Sequence, residues 1–188
     1  MEKALARVGG EVCVVCEPHA IRGADAVVLP GVGAFGDCVR GLARLGLVGA
    51  LREFIARGRP FLGICVGLQM LLEESEESPG VAGLGIFRGA VRRFRDGGLK
   101  VPHMGWNRLM IRRSDCPLLR GLADGAYVYF VHSYFAEPSD GDAVAATSNY
   151  GGEFAAVLWQ DNVFGVQFHP EKSQGVGLAM LRNFVEML

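Results

Sequence analysis

A cysteine flanked by glycines is the residue of this chain best placed to do chemistry. Cys65 lies in Gly63-Ile64-Cys65-Val66-Gly67, where an apolar run ends and a helical pattern begins. This G-x-C-x-G spacing is the thiol form of the nucleophile elbow, a tight strand-to-helix turn that presents one reactive side chain. The N–H groups and the positive dipole end of the next helix favour thiolate over thiol, and the thiolate is the nucleophile. The elbow therefore predicts a nucleophile, with a buried structural cysteine as the competing interpretation.

A histidine near the C-terminus has the sequence context of a base for this thiol. A thiol nucleophile needs a base, and the base needs a third group to orient it. His169 follows the strand-like segment 163–168, and Glu171 lies two residues further on. If the backbone stays extended there, His169 and Glu171 point to the same side. The sequence predicts a Cys65–His169–Glu171 triad, and the alternative is a solvated surface turn.

Size, charge and cysteine usage restrict the class of protein. A chain of 188 residues is most simply one domain, 1–188. A net charge of −1 gives no electrostatic argument for binding nucleic acid or an anionic membrane. The chain has neither a long apolar run nor a secretory signal pattern. Five cysteines without framework spacing fit a reducing compartment, so we expect a soluble, cytoplasmic protein.

Two literal motif matches are rejected. Cys13 and Cys16 form a C-x-x-C pair, a redox or zinc signature, inside the apolar run 12–16. That run is interpreted as a buried strand, in which positions i and i+3 point to opposite faces. Residues 31–36 read G-x-G-x-x-G, but the acidic residue that the dinucleotide fingerprint needs falls in a predicted helix, as Glu53. We therefore expect no metal and no cofactor.

Strands and helices alternate through the first half of the chain and give way to strands in the second. Helices are predicted at 2–8, 37–45, 47–57, 66–74 and 175–188. Strands are predicted at 12–16, 26–29, 60–64, 86–94, 107–113, 126–131, 143–148, 154–160 and 163–168. This order predicts a three-layer α/β fold with a mixed, mostly parallel central sheet flanked by helices. Because the chain opens in a helix, the first strand of such a sheet is expected to be missing.

Several stretches together resemble one enzyme family. The elbow, the loop Pro30-Gly31-Val32-Gly33 and the Cys…His-x-Glu order resemble the triad, or class I, glutamine amidotransferases. Within that class, three further stretches resemble the glutaminase subunits of imidazole glycerol phosphate synthases: Pro102-His103-Met104-Gly105-Trp106-Asn107, Tyr129-Phe130-Val131-His132-Ser133-Tyr134 and Gln167-Phe168-His169-Pro170-Glu171-Lys172-Ser173. The resemblance covers essentially the whole chain, and it implies the class I glutamine amidotransferase fold.

The resemblance also implies a role for each motif. Cys65 would attack the side-chain amide of glutamine, His169 would transfer the proton, and Glu171 would orient His169. Water would then hydrolyse the γ-glutamyl thioester to glutamate. The implied oxyanion positions are Gly31, Val32, Gly33 and Val66. The implied glutamine-binding positions are Gln69, Glu77, His132, Ser133 and Tyr134, with Glu77 facing the α-ammonium group.

A protein partner follows from the same resemblance. Ammonia would pass unhydrolysed to a (βα)8-barrel cyclase subunit, in a heterodimer that makes imidazole glycerol phosphate and AICAR in histidine biosynthesis. Trp106, Tyr129 and Lys172 match the family's interface with that cyclase. In this family the glutaminase alone is feeble, and the partner with its bound substrate switches it on. Ordinary core aromatic residues are the alternative interpretation of Trp106 and Tyr129.

The start of the chain departs from the family pattern. Family members begin with a strand and a Tyr-Gly-x-Gly-Asn turn ahead of the helix that here begins at residue 2. We expect a misplaced start codon, such as a GTG read as methionine, with coding sequence upstream. If the shorter chain is genuine, a non-catalytic binding paralogue is one alternative.

An elbow-cysteine peptidase or γ-glutamyl hydrolase is a further alternative, although intracellular elbow peptidases commonly place histidine where this chain has Val66.

Overall fold

Strands and helices make up most of the computed structural model, which describes residues 1–95 and 98–188. The strands are Val27–Gly31 (β1), Phe61–Cys65 (β2), Glu74–Ser75 (β3), Gly89–Arg93 (β4), His103–Ile111 (β5), Ala126–His132 (β6), Tyr134–Pro138 (β7), Val144–Asn149 (β8), Glu153–Gln160 (β9) and Val163–Val166 (β10). The α-helices are Glu2–Arg7 (α1), Pro18–Gly23 (α2), Phe35–Arg44 (α3), Leu47–Ala56 (α4), Val66–Gln69 (α5) and Gln174–Val185 (α6). Short 3-10 turns lie at Pro117–Leu119, Gly141–Ala143 and Pro170–Lys172.

The parallel part of the sheet brings three strand ends to one edge. Strand β2 lies between β1 and β10 and is parallel to both, with Gly31 opposite Cys65 and Val166 opposite Ile64. Every residue of β2 is buried, as expected for a central strand that is covered on both faces. The segments that follow β1, β2 and β10 therefore emerge side by side. Open α/β sheets bind their ligands at such carboxyl edges.

The remainder of the sheet is mostly antiparallel. Strand β10 pairs with β9, β9 with β7, and β7 with β4, and the short β3 lies beyond β4. Strand β8 connects β9 to β5, which pairs along its length with β6. The predicted mixed α/β fold with flanking helices is confirmed.

The helices pack through one face each. In α4, Leu47, Leu51 and Phe54 recur at helical spacing and are buried. In α6, Leu181 and Phe184 are buried in the same core cluster. None of the helices in the described part of the chain has both the length and the apolarity needed to span a membrane.

Most predicted elements are confirmed, with bounds that differ by a few residues. These are the helices at 2–8, 37–45, 47–57 and 175–188 and the strands at 26–29, 60–64, 86–94, 107–113, 126–131, 143–148, 154–160 and 163–168. Three elements were missed, namely α2, β3 and β7. Each is only two to six residues long, too short to display a helical or strand period.

The predicted strand at 12–16 is wrong. The segment has no regular structure, and Val14 is 75% exposed. A strand needs a hydrogen-bonded backbone neighbour, and none of the described strands pairs with this segment. Cys13 and Cys16 are consequently exposed and do not lie on opposite faces of a buried strand. The described residues contain no group of three His, Cys, Asp or Glu side chains placed to hold a metal ion.

The predicted helix at 66–74 is also wrong beyond its first turn. Helix α5 ends at Gln69, and the chain turns before entering β3. The carbonyl groups of Met70 and Leu71, which a longer helix would use internally, accept backbone N–H groups of Leu84 and Ile86 instead, at 2.7 and 2.8 Å. Tertiary hydrogen bonds therefore satisfy these carbonyl groups and end the helix early.

Candidate active site

The elbow places Cys65 in a strained backbone conformation. Cys65 is the last residue of β2, and its φ of 55° and ψ of −111° lie outside the regions that L-residues favour. Helix α5 begins at the next residue, Val66. Strain of this kind persists where the surrounding structure enforces it, and it is concentrated at functional sites. The positive φ is adopted by the cysteine itself and not by the flanking glycines Gly63 and Gly67.

The flanking glycines are required by close approach of the backbone. A Cβ atom on Gly67 would lie 1.9 Å from the carbonyl oxygen of Leu29 in β1. A Cβ atom on Gly63 would lie 2.7 Å from the carbonyl oxygen of Gly67. Such distances are far inside van der Waals contact. The absence of a side chain at Gly67 therefore lets the elbow press against β1, and its absence at Gly63 lets α5 fold back over β2.

His169 and Glu171 are brought together beside the elbow. The Nδ1 atom of His169 donates to Oε1 of Glu171 over 3.0 Å. The other ring nitrogen, Nε2, is buried and forms no well-oriented hydrogen bond within the described residues. Catalytic hydrogen bonds are often poorly aligned before substrate binds. The arrangement leaves Nε2 available to the sulfur of Cys65, which lines the same cavity.

The electrostatics of the pair favour a charged imidazole. The pKa of His169 is raised to about 9, first by its interaction with the Cys65 sulfur and then by the hydrogen bond to Glu171, while burial acts in the opposite direction. Burial alone would raise the pKa of Glu171, but the hydrogen bond with His169 and the charge of that ring outweigh it, and the pKa is lowered. At neutral pH His169 is therefore an imidazolium held by a carboxylate.

The backbone after His169 is not extended, contrary to the sequence argument. Residues Pro170–Lys172 form a 3-10 turn, and the ring reaches Glu171 across that turn. Ser173 fixes the segment because its hydroxyl donates to the carbonyl of His169 over 2.7 Å and accepts the N–H of Tyr129 over 3.0 Å. The 3-10 turn therefore aligns the two side chains, and the strand period does not.

The raised pKa of His169 predicts a pH-dependent contribution to stability. The folded-state pKa of about 9 lies above the ordinary value of 6.5, so the stabilisation is fully present below about pH 6.5 and is lost as the pH rises through 9. We expect the difference in melting temperature between the wild type and His169→Gln to be largest near pH 6 and to shrink towards pH 9. Thermal unfolding of both proteins across this range measures it. A difference that stays constant with pH would contradict the assignment.

A cavity of about 320 Å³ opens at the carboxyl edge of the parallel strands. Its walls come from the elbow, the loop after β1, the β6–β7 junction and the segment around His169. The lining residues are Val32, Gly33, Cys65, Val66, Gln69, Glu77, Pro102, Val131, His132, Ser133, Tyr134, His169 and Lys172. The structure thus brings Cys65, His169 and all five predicted glutamine-binding positions to one cavity, with three of the four predicted oxyanion positions. Glu171 is not part of the lining and contacts His169 through Nδ1.

The predicted oxyanion loop divides between the cavity and the sheet. Val32 is 82% exposed at the cavity, and Gly33 beside it has a φ of 97°. Gly31 belongs to β1 and lies behind the elbow, where an added Cβ atom would be 2.7 Å from the N atom of Gly67. Val66 is the first residue of α5, and the first N–H groups of a helix have no partner within it. Gly31 therefore supports the elbow and does not line the cavity.

Glu77 holds the start of helix α3 against the cavity. Its Oε2 atom accepts a hydrogen bond from the backbone N–H of Phe35 over 2.6 Å. The hydroxyl of the next residue, Ser78, accepts one from the backbone N–H of Gly36 over 3.0 Å. A carboxylate at a helix N-terminus is stabilised by the helix dipole. One carboxylate oxygen is thus committed to the helix.

Two buried histidines, His103 and His132, form a neutral pair behind the cavity. Their Nδ1 and Nε2 atoms are 3.1 Å apart, and Nδ1 of His132 lies 2.8 Å from the carbonyl oxygen of Tyr134. Burial lowers the pKa of His103 to about 4, and burial is also the largest effect lowering that of His132 to about 3. Because a carbonyl only accepts, Nδ1 of His132 is the protonated nitrogen. The His132 ring therefore serves to position backbone at the cavity wall.

One buried side chain at the site was missed by the sequence analysis. Gln167 places its Nε2 atom 3.8 Å from the Cys65 sulfur, and its Oε1 atom accepts from Nε2 of Gln69 over 3.2 Å. The signal that could have revealed it is its spacing, because Gln167 lies two residues before His169 at the end of a strand.

The three predicted interface residues lie outside the core. Trp106 is 46% exposed and packs edge-on against Tyr129, with ring centroids 5.9 Å apart. The ammonium group of Lys172 lies 5.8 Å from the centre of the Tyr129 ring, within cation–π range. The alternative that Trp106 and Tyr129 are ordinary core aromatics does not fit these positions.

Comparisons with known proteins agree with this geometry. The model of the class-I glutamine amidotransferase family matches residues 5–188. The imidazole glycerol phosphate synthase subunit HisH of Geobacter sulfurreducens is 51% identical over all of this chain and 92% of its own length. HisH of Methanothermobacter thermautotrophicus is 52% identical over 98% of this chain and 90% of its own length.

Solved structures support the fold. A crystal structure of a glutamine amidotransferase superimposes with a TM-score of 0.76 over 99% of this chain and 90% of its own, at 21% identity. A glutamine amidotransferase from Thermotoga maritima superimposes with a TM-score of 0.65 over 87% of this chain and 77% of its own, at 18% identity. Together with the family match and the HisH relatives, these findings show that the chain belongs to the class-I glutamine amidotransferase family.

Proposed function

We propose that this chain, folded as one domain, hydrolyses glutamine and delivers the ammonia to a cyclase subunit of imidazole glycerol phosphate synthase, in histidine biosynthesis. The HisH relatives carry the pathway assignment. The observation that carries the chemistry is the elbow cysteine beside a histidine that Glu171 holds at 3.0 Å, in one cavity. In this proposal Cys65 is the nucleophile, His169 the general acid and base, and Glu171 the residue that orients the ring.

Acylation uses the imidazolium and thiolate forms of the pair. The Cys65 thiolate adds to the side-chain carbonyl carbon of glutamine, and the π electrons move to oxygen. Backbone N–H groups of Val66 and of the Val32–Gly33 loop are the proposed oxyanion donors. One such donor typically lowers the activation free energy by about 3–4 kcal/mol. The C–N bond then breaks as His169 gives its proton to the departing nitrogen. The products of this step are ammonia and a γ-glutamyl thioester on Cys65.

Deacylation runs through the same groups in reverse. His169, now neutral, takes a proton from water as the water oxygen attacks the thioester carbonyl. The C–S bond breaks, glutamate leaves, and the thiolate–imidazolium pair is restored. Glu171 remains a carboxylate throughout, because its role is to hold the ring and its charge.

The cavity offers complementary groups to the amino-acid end of glutamine. One oxygen of Glu77 is committed to Phe35, and in this proposal its carboxylate charge faces the α-ammonium group. Gln69 directs its N–H groups to protein acceptors, so its Oε1 atom is the part left to accept from the substrate. Ser133 and Tyr134 contribute the opposite wall, at the β6–β7 junction.

The route to a partner begins at the cavity rim. Strands β5 and β6 pair so that Met104, Trp106, Tyr127 and Tyr129 share the exposed face of the pair. Val131, on the same face of β6, also lines the cavity. An exposed aromatic and thioether surface is typical of a protein interface. A cyclase docked on this face would receive ammonia close to where it is released.

Glutamate production tests the function. Glutamine hydrolysis is measured for this chain alone and after addition of the cyclase subunit from the same organism, and stimulation by the cyclase is expected. A chloroketone analogue of glutamine is expected to modify Cys65 alone among the five cysteines, as located by peptide mass spectrometry. Cleavage of peptides that is independent of the cyclase would support the peptidase alternative instead.

Trp106→Ala is expected to weaken binding of the cyclase by roughly 30-fold, because a half-exposed tryptophan at the centre of an interface is a typical hot spot. The dissociation constant is measured by titrating each protein with the cyclase. Leu45→Ala is the matched control, since Leu45 is equally exposed but lies at the end of α3. An equal effect of both substitutions would exclude the β5–β6 face as the docking surface.

A further inference from the structure

Gln167 is a fully buried amide that contacts the reactive sulfur. Its exposed fraction is 0%, and its Nε2 atom lies 3.8 Å from Sγ of Cys65. Neither the proposed chemistry nor the cavity lining uses this side chain. Burying an amide is costly unless its polar atoms find partners, so a side chain needed only for packing would more simply be apolar.

The direction of the amide follows from its neighbours. The carbonyl oxygen of Tyr134 only accepts, so the atom of Gln69 that lies 2.9 Å from it is an N–H donor. The same Nε2 atom of Gln69 lies 3.2 Å from Gln167, and the atom of Gln167 facing it is consequently the oxygen. The remaining atom of the Gln167 amide, which faces the sulfur, is therefore the nitrogen. One backbone carbonyl fixes the direction of both amides.

The carbonyl of Tyr134 is itself held in place. Nδ1 of His132 lies 2.8 Å from this oxygen, and the His132 ring contacts His103 behind it. At the other end, the backbone N–H of Gln167 donates to the carbonyl of Ala156 over 2.9 Å. Both ends of the amide chain are thus attached to the sheet, and Gln167 has little freedom to turn away from the sulfur.

We propose that Gln167 is a positioning residue for Cys65, whose amide N–H holds the sulfur towards His169 and stabilises its negative charge. This role rests on the proposed function, in which Cys65 attacks as the thiolate. A hydrogen bond from a neutral donor is stronger when the acceptor is charged. The N–H therefore favours the attacking thiolate over the neutral thiol. Gln167 does not line the cavity proposed to bind glutamine, so the contact contributes to reaction more than to substrate affinity.

Gln167→Met tests the role, because methionine has a similar length and no N–H donor. In the complex with the cyclase, we expect kcat to fall about 10- to 100-fold, the range for losing one hydrogen bond to a charged group. The KM for glutamine is expected to change less than about threefold, because uniform binding is retained. The rate at which iodoacetamide alkylates Cys65, followed on its peptide by mass spectrometry, is expected to fall in parallel.

A buried amide elsewhere provides the matched control. Asn183 in α6 donates to the carbonyl groups of Leu118 and Arg120 and has no contact with the site. Asn183→Leu is expected to lower the melting temperature while leaving kcat and the alkylation of Cys65 unchanged. General destabilisation by loss of a buried amide is thereby separated from loss of the contact with the sulfur.

Wild-type kcat and alkylation rate in Gln167→Met would overturn the positioning role. Gln167→Leu is the second variant, because it removes the donor with a branched apolar side chain of different shape; unchanged kcat in this variant would also overturn the role. Failure of the proposed function itself would be recognised separately, because Cys65→Ala would then still hydrolyse glutamine. A fall in kcat in both Gln167 variants, with Cys65→Ala inactive, supports both proposals.

Discussion

Cys65→Ala is expected to release glutamate from glutamine at least about 10⁴-fold more slowly than the wild-type protein, because loss of a nucleophile removes the covalent route altogether. The residual rate would come from the oxyanion donors and from binding alone. Glutamate release in the presence of the cyclase measures the effect. Binding of glutamine is expected to survive, because the substitution removes one sulfur atom and leaves the cavity walls in place.

A second buried cysteine offers the control for this substitution. Cys116 is 1% exposed, it lies outside the cavity lining, and burial is the main effect that raises its pKa to about 11. It is the inert thiol that a purely structural cysteine would be. Cys116→Ala is expected to change glutamine hydrolysis less than about twofold while costing some stability. Equal activity in the two variants would mean that Cys65 is also structural.

Elements that repeat a local pattern, and residues that belong to short, dense motifs, could be predicted from the sequence. Cys65 and His169 are separated by more than a hundred positions, yet each carries its own local signature, a glycine pair in one case and a carboxylate at i+2 in the other. Strands β1, β2 and β10 have apolar runs of ordinary length, so their existence could be predicted. Their parallel pairing then brings the two signatures to one edge.

The errors have a common physical cause, which is that each outcome depends on whether backbone distant in the sequence forms hydrogen bonds there. The helix expected at 66–74 stops because the carbonyl of Leu71 is bonded to the N–H of Ile86. The apolar run at 12–16 predicts a strand, but no strand lies beside it among the described residues to pair with it. The contact between Gln167 and Cys65 depends on the register of β10 against β2, a pairing of residues about a hundred positions apart, and the spacing from His169 indicates only the face on which Gln167 lies. Long-range hydrogen bonds of this kind override local propensity.

Gly67→Ala is expected to destabilise the fold by about 3 kcal/mol or more, at the upper end of the cost of overpacking. The added Cβ atom would lie 1.9 Å from the carbonyl oxygen of Leu29, which is backbone of a paired strand and has no rotamer to change. Relief therefore requires β1 and the elbow to separate. That movement would displace Cys65 as well, so glutamine hydrolysis is expected to fall even in the fraction that folds. Urea unfolding and glutamate release measure the two effects.

Gly49 provides the matched substitution for Gly67→Ala. It lies within helix α4, and a Cβ atom added there would meet nothing within 4 Å. Gly49→Ala is therefore expected to leave glutamine hydrolysis unchanged and to stabilise the protein by roughly 0.5–1 kcal/mol, the usual gain in a helix interior. If Gly67→Ala lowers the free energy of unfolding and Gly49→Ala raises it, glycine is required at position 67 for the packing of the elbow on β1. Unfolding free energies for Gly67→Ala that match the wild type would instead show that the elbow yields easily, and a rigid turn could then no longer explain how the sulfur is held.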